Sequence, residues 1–586
     1  MGKIALFFLL VVAGCAGPQP ETPHTSGTSD AAFTQLTDEY LSGYLAWRPI
    51  QAMQLGLHEY DGKLTDFGMA SVQAELARLK SFDRRLDAIN PAALGTQSRY
   101  DYRILRAAVR KELFQFEDVR AYTRNPMTYA LALDVSGYIK RTFAPLEQRT
   151  RSIIAILNEA PKVMAAGRAN LDESLPKPYV ETAILIADGT VAFLEKDLPD
   201  ALKDLKDAPL RTEFAAANKR ATEEVRNFAA YLKQDKLPKA NAPFALGREK
   251  FIKMVREGEL ITLPPEKILE IGMAELHREQ RLFAETAAKI DPARSPLEVF
   301  KEIQRDHPTA ESLLPDVRKD LETIRQFVVA HNIVTIPSEV RPRVEETLQF
   351  ERASSFASMD TPGPFETKAT EAYYYVTPVE PDWTPQQKEE WLTAFNYYTT
   401  DVVSIHEAFP GHYVQFLCLN VSPATRLEKI FSSYAYVEGW AHYSEQMLID
   451  EGFGADAPDS GTKAAKYRLA QLDEALLRLC RLCVSIQIHC QGMSVEDATK
   501  FFQANCYYEE KPAHSEAMRG TFDPGYLNYT LGKMMILKLR KDYRAQQGAE
   551  FSLKNFHDEM LRHGMPPVPL LREILLKDRA TWREAL

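Results

Sequence analysis

His406-Glu407-Ala408-Phe409-Pro410-Gly411-His412 is the stretch on which the reading of this chain turns. It sets two imidazoles and one carboxylate within seven residues. An apolar-polar run flanks it, Asp401-Val402-Val403-Ser404-Ile405 before and Tyr413-Val414-Gln415-Phe416-Leu417 after, and the spacing predicts helix on both sides. Further along, Tyr436-Val437-Glu438-Gly439-Trp440-Ala441-His442-Tyr443-Ser444-Glu445 predicts a second helix. Glu438 and His442 are i,i+4 there and share a face.

Imidazoles and carboxylates in this pattern point to a catalytic metal. Such a site takes about three protein ligands and keeps one position open. The ion acidifies water to a pKa of about 7, and a neighbouring carboxylate removes the proton. In the familiar His-Glu-x-x-His arrangement the two imidazoles are i,i+4 and lie on one helix face. Here the residue four after His406 is Pro410, and the second imidazole comes at i+6. At about 100° per residue, i+6 lies roughly 240° round an ideal helix. Pro410 has no N–H to give and Gly411 tolerates unusual dihedrals. The spacing therefore predicts a local bulge or kink at Pro410-Gly411 if both imidazoles bind one ion.

On this reading His406, His412 and Glu438 are the ligands of a Zn2+ ion and Glu407 is the general base. His412 has supporting a ligand as its alternative role. His442 either supports Glu438 or touches substrate. Hydrolysis also needs a donor aimed at developing negative charge. Tyr529 is the first choice, with His489, Tyr526 and Arg519 as alternatives. Arg519 suits a substrate carboxylate; Arg519, Tyr526 and His442 form the candidate substrate-binding set. Asp401 and Asp473 are candidate acids behind the ligands, and His557 reads as a packing or capping residue.

Most of the chain around this centre has helical periodicity. Phe33, Leu36, Tyr40, Leu41, Tyr44 and Leu45 form one apolar stripe. Long helices are expected over Arg149–Met164, Tyr179–Leu198, Pro264–Ala288 and Leu313–Asn332, and a solvated one over Thr212–Leu232. The texture changes between Ile333 and Pro381. Val334–Pro337, Glu346–Phe350 and Ala372–Val376 are β-branched or aromatic and bounded by Pro and Gly, which predicts a small sheet just before the candidate site. The fold class is mainly α. Residues 31–586 read as one helical domain, with 31–240 an N-terminal helical part and 241–586 the part carrying the site.

The 586 residues are 45% hydrophobic and 26% charged, the balance of an ordinary globular chain. A net charge of −10 with no basic stripe excludes nucleic acid as a partner. At the N-terminus Lys3 precedes a short apolar run, Ile4 to Val12, too short to span a membrane. Ala13-Gly14-Cys15 follows. This resembles the bacterial lipobox, which implies a signal peptide over 1–14, acylation of Cys15 and anchorage in a lipid bilayer of the cell envelope. Residues 15–30 read as a flexible tether. The other cysteines are Cys418, Cys480, Cys483, Cys490 and Cys506; five cannot all pair, and Cys480 and Cys483 read as buried helical thiols.

The run from His406 to Gln415 with Val437 to Gln446 resembles a bacterial family, domain of unknown function 885, grouped with the gluzincin-type metallopeptidases. Ile488 to Ser494, Tyr526 to Lys533 and Asn555 to Leu561 with Gly564 continue the resemblance; Asn125 to Tyr129 and Leu246 to Glu249 echo it. It implies a large helical zincin-like fold with a deep cleft beside the metal-binding helix. It also implies that the extended His-Glu spacing belongs to the family. The expectation is an exported, lipid-anchored zinc peptidase acting on short peptides. Two alternatives stand beside it: another metal-dependent amide hydrolase acting on cell-wall peptides or amino-acid conjugates, and a metal-binding envelope lipoprotein without turnover. The sequence leaves the oligomeric state open.

Overall fold

The apolar stripe that begins at Phe33 forms the inner face of the first long helix, α1 (Ser26–Trp47), with Phe33, Tyr40, Leu41, Tyr44 and Leu45 all buried. The structure, a computed structural model, describes residues 26–348, 352, 355–455 and 460–586. The signal segment 1–14, Cys15 and the tether as far as residue 25 lie outside the described residues. The end of the expected tether is helical instead, because Asp30 Oδ1 accepts the Gly95 N–H at 3.0 Å and ties the start of α1 down.

Helix accounts for 71% and strand for 2%, so the mainly α class holds. The first part of the chain builds two apolar clusters. One joins α1 to α2 (Thr96–Phe114) and takes in Leu427, Ile430 and Leu570 from the far end of the sequence. The other is centred on α3 (Ala208–Tyr231), where Phe214, Ala217, Ala221, Val225 and Phe228 are buried under the charged outer face. The long helix expected over Arg149–Met164 is two, Leu146–Asn158 and Ala160–Asn170, because Pro161 supplies no N–H and starts a new helix.

The largest cluster lies in the second part. It is framed by α4 (Pro265–Ile290) and α5 (Leu313–Ala330), followed by three short strands, β1 (Arg343–Glu346), β2 (Ala357–Asp360) and β3 (Tyr373–Val376). Their order is β1-β3-β2, with β1 parallel and β2 antiparallel to β3. Two of the three expected strands map onto the sheet in part, with residues 349 and 350 outside the described set. Val334–Pro337 does not join it: Thr335 spends its N–H and hydroxyl on the Asp558 carboxylate, at 2.8 and 2.7 Å. β2 takes the vacant place. Thr377 N donates to Phe356 O, so by antiparallel alternation the backbone groups of Ala357 and Met359 face the free edge.

The site-bearing helices follow. They are α6 (Tyr397–Glu407), α7 (His412–Val421), α8 (Tyr434–Asp450), α9 (Ser460–Gln491), α10 (Glu510–Phe522) and α11 (Asn528–Gln547). α9 packs along α4, and α8 along α11. The sheet lies against α6 through Tyr374 OH and Ser404 Oγ, 3.1 Å apart. Cys480, Cys483 and Cys506 are buried, and none of the five described cysteines is in a disulfide.

Candidate metal centre

The distortion demanded by the His406–His412 spacing is a complete break. α6 stops at Glu407 and α7 starts at His412. Between them the Phe409–Pro410 peptide is cis. Gly411 N–H donates to Ile405 O at 3.0 Å, spanning six residues where a helix spans four. Two residues are thus looped out and His412 returns beside His406, with ring centroids 4.9 Å apart at 90°. Gly411 makes this possible, since a Cβ there would overlap the His406 carbonyl oxygen. The distortion expected at Pro410-Gly411, a bulge or kink, is present there as a break between two helices.

Glu438 comes from α8. Its Oε2 lies 3.5 Å from His406 Nε2 and 3.5 Å from His412 Nε2. These are the three residues among those described that could hold a metal ion, their donor atoms lying within 4.8 Å of one another. The set fits zinc. Tetrahedral coordination at about 2.0–2.1 Å places donor atoms about 3.3 Å apart. Among the described residues buried Glu438 Oε2 has no hydrogen bond, only the two imidazoles at 3.5 Å, an arrangement that is costly unless a cation completes it.

The surrounding charges suit a cation. Burial opposes a charged His406, yet the carboxylates of Glu438 and Glu445 outweigh it and raise its pKa to about 9. Burial pushes the Glu438 pKa up, but the two imidazoles prevail and hold it well below the usual carboxylate range. Glu407, the expected base, ends α6 beside the pair and accepts the Met359 N–H on Oε2 at 3.0 Å. The general-base candidate and the free edge of β2 are therefore in direct contact.

Tyr529 reaches the site from α11. Its ring is nearly parallel to that of His406, with centroids 6.4 Å apart. Two glycines allow this approach: a Cβ on Gly532 would overlap Ala435 O, and one on Gly439 would overlap the Gly532 backbone. Burial, then Glu438, raises the Tyr529 pKa, so the phenol keeps its proton and stays a donor. The Arg481 and Arg519 guanidiniums flank the ring at 5.2 and 5.9 Å. Arg519 is at the rim, bonded to Asp523 Oδ2 and to the Tyr434 hydroxyl.

Three expected site residues sit elsewhere or act otherwise. His489 Nε2 donates to Gly520 O at 2.8 Å and Nδ1 accepts from Leu246 N–H at 3.2 Å. Both ring nitrogens are spent on backbone, leaving none for an oxyanion. Tyr526 is fully buried, its hydroxyl packed where a Gly520 side chain would be, so it offers no surface to substrate. His442 is also fully buried and Nδ1 binds Glu445 Oε2 at 3.0 Å, which makes it a support and not a substrate contact. Asp401 is held by the Tyr467 hydroxyl at 2.6 Å.

The residue that sequence reasoning passed over is Glu445. Its Oε1 accepts from His406 Nδ1 at 2.7 Å, and Arg478 Nη2 lies 3.3 Å from the same oxygen. It therefore fixes the His406 tautomer and aims Nε2 at the centre. The signal was present: Glu445 falls seven residues after Glu438 and three after His442, on one face of α8.

Two solved structures share the fold. One, from Shewanella oneidensis and described provisionally as a lipoprotein of unknown function, is 25% identical with a TM-score of 0.75, over 93% of this chain and 100% of that one. The other, from Colwellia psychrerythraea and described provisionally as a lipoprotein, is 18% identical with a TM-score of 0.77, over 95% of this chain and 100% of that one. No curated protein matches the chain. Residues 49–575 match the family described as bacterial protein of unknown function, DUF885, and the chain belongs to that family.

Proposed function

We propose that the protein is a zinc-dependent peptidase of the bacterial envelope. The observation that carries this reading is the convergence of His406 Nε2, His412 Nε2 and Glu438 Oε2 beside Glu407. A site that only stabilised the fold would use four protein ligands and would have no need of an acid beside the first.

His406, His412 and Glu438 would hold the ion, which when bound polarises a substrate carbonyl and acidifies water. Glu407 takes the proton from the attacking water and returns it to the leaving amine. Tyr529 donates its phenolic O–H toward the developing oxyanion. The outward backbone groups of Ala357 and the Met359 carbonyl pair with the main chain of an extended peptide while the Met359 N–H stays on Glu407, which sets the scissile bond against that carboxylate. Membership of the gluzincin clan is part of this proposal.

Anchorage through an acylated Cys15 is supported by the lipobox-like Ala13-Gly14-Cys15 and by the two structural relatives described provisionally as lipoproteins. Among the described residues no helix is long and apolar enough to cross a membrane. The test is metal analysis and a peptide-library digest of the protein beside Glu407→Gln. Near-stoichiometric zinc in both, with cleavage at least a hundredfold slower in the variant, is expected. Equal cleavage by the two would remove this mechanism.

A further inference from the structure

The two imidazoles are not held alike. His406 is oriented by Glu445 through Nδ1. His412 Nδ1 is buried, and among the described residues no group hydrogen-bonds to it. Besides the contact of its ring with Phe416 at 6.3 Å, His412 is therefore placed through its backbone, by the loop Ala408 to Gly411 that precedes it.

Among the described residues, one side chain hydrogen-bonds to that loop. Trp440 Nε1–H donates to Pro410 O at 2.9 Å and is 3.3 Å from Gly411 O, a shared bond to the two carbonyls before His412. Trp440 is fully buried. Its ring meets His557 edge-on at 5.2 Å and a tilted Tyr443 at 5.8 Å, which confines the indole. Pro410 and Gly411 are buried too, and carbonyls there that lose their donor cannot turn to water. Trp440 lies two residues after Glu438 on α8. The helix that supplies the third ligand also pins the loop that delivers the second.

We infer that Trp440 is a positioning residue for the metal: its indole N–H sets the loop between the two imidazoles and so holds His412 at coordination distance. This rests on the zinc reading proposed above, and it assigns a role that neither the ligand set nor the base requires. Loss of the N–H should act as loss of an outer-shell partner does, lowering metal affinity about 10–100-fold.

The test measures zinc affinity by competition with a chelator, and the visible spectrum of the cobalt-substituted protein, in full-length parent, Trp440→Phe and Trp391→Phe. Trp391 is the control: its indole N–H donates to Thr377 O at 3.0 Å, away from the ligands. Benzothienylalanine at position 440, which keeps the ring shape and lacks the N–H, guards against a packing defect in the Phe variant. The expected result is affinity weaker by at least tenfold and a weakened cobalt band in both position-440 variants, with far-UV circular dichroism unchanged and Trp391→Phe like the parent. Parent-like affinity and spectrum in the benzothienylalanine protein would overturn the inference while leaving the zinc reading intact. A parent that binds no zinc would overturn both.

Discussion

Glu445 and His406 face each other at 2.7 Å in a fully closed pocket, the carboxylate on α8 and the imidazole on α6. Burial raises the Glu445 pKa, but Arg478, His442 and His406 together hold it well below the ordinary range, so the group is an anion at every working pH. Glu445→Gln keeps an acceptor for His406 but lets the amide turn its N–H inward. Zinc affinity measured against a chelator should fall about 10–100-fold. Glu445→Ala leaves His406 Nδ1 and His442 Nδ1 without their acceptor and Arg478 with Glu474 alone, and should lower stability by about 3–5 kcal/mol, read from urea unfolding.

Gly411→Ala should damage the site and the fold together. The added methyl overlaps the His406 carbonyl oxygen, and the loop has no room to yield between α6 and Trp440. A loss of about 3 kcal/mol is expected from overpacking, with bound zinc reduced to a small fraction. Retention of full zinc by this variant would contradict the two-residue loop.

Tyr529→Phe should separate chemistry from metal binding. The ring stays against His406 and between the two guanidiniums, and only the donor is removed. Peptide cleavage should slow about 10²–10³-fold in kcat with zinc content unchanged. His489→Gln should leave kcat near the parent value, because both imidazole nitrogens bond backbone.

Acid should weaken the fold through its buried imidazoles. Burial pushes His557 down to about 3 and His489 down to about 4. A histidine near 6.5 in the unfolded chain then takes up its proton there first. Stability from these groups is complete above pH ~6.5 and drains away as pH falls toward 3–4. Between pH 7 and 5.5 each should cost about 1 kcal/mol. Urea midpoints across this range check the slope, and His557→Gln, though less stable at pH 7, should show a shallower one.

The helices were readable because their apolar stripes recur at three and four residues, as from Phe33 to Leu45, and tertiary packing only confirmed the face already chosen. The cluster of His406, His412 and Glu438 was readable for a different reason: imidazoles and carboxylates are conspicuous in an apolar setting. What one-dimensional spacing concealed was contact between distant segments. Val334–Pro337 has strand composition, yet Asp558 claims its polar groups. His489 and Tyr526 sit in motifs that looked catalytic, and their partners are Leu246 and Gly520, which no local pattern announces. Glu445 lay in plain view, but its meaning depends on α6 arriving beside α8.

On the proposed zinc reading, a ligand, a pin for the loop of a second ligand and the orienting carboxylate of the first all ride on α8, at Glu438, Trp440 and Glu445. The centre therefore has a common chassis. A shift of α8 carries all three attachments together, so their mutual spacing survives displacements that would scatter donors mounted on independent elements. The counterpart is that loosening α8 releases every attachment at once, so that on the same reading departure of an ion and opening of that helix would be a single event.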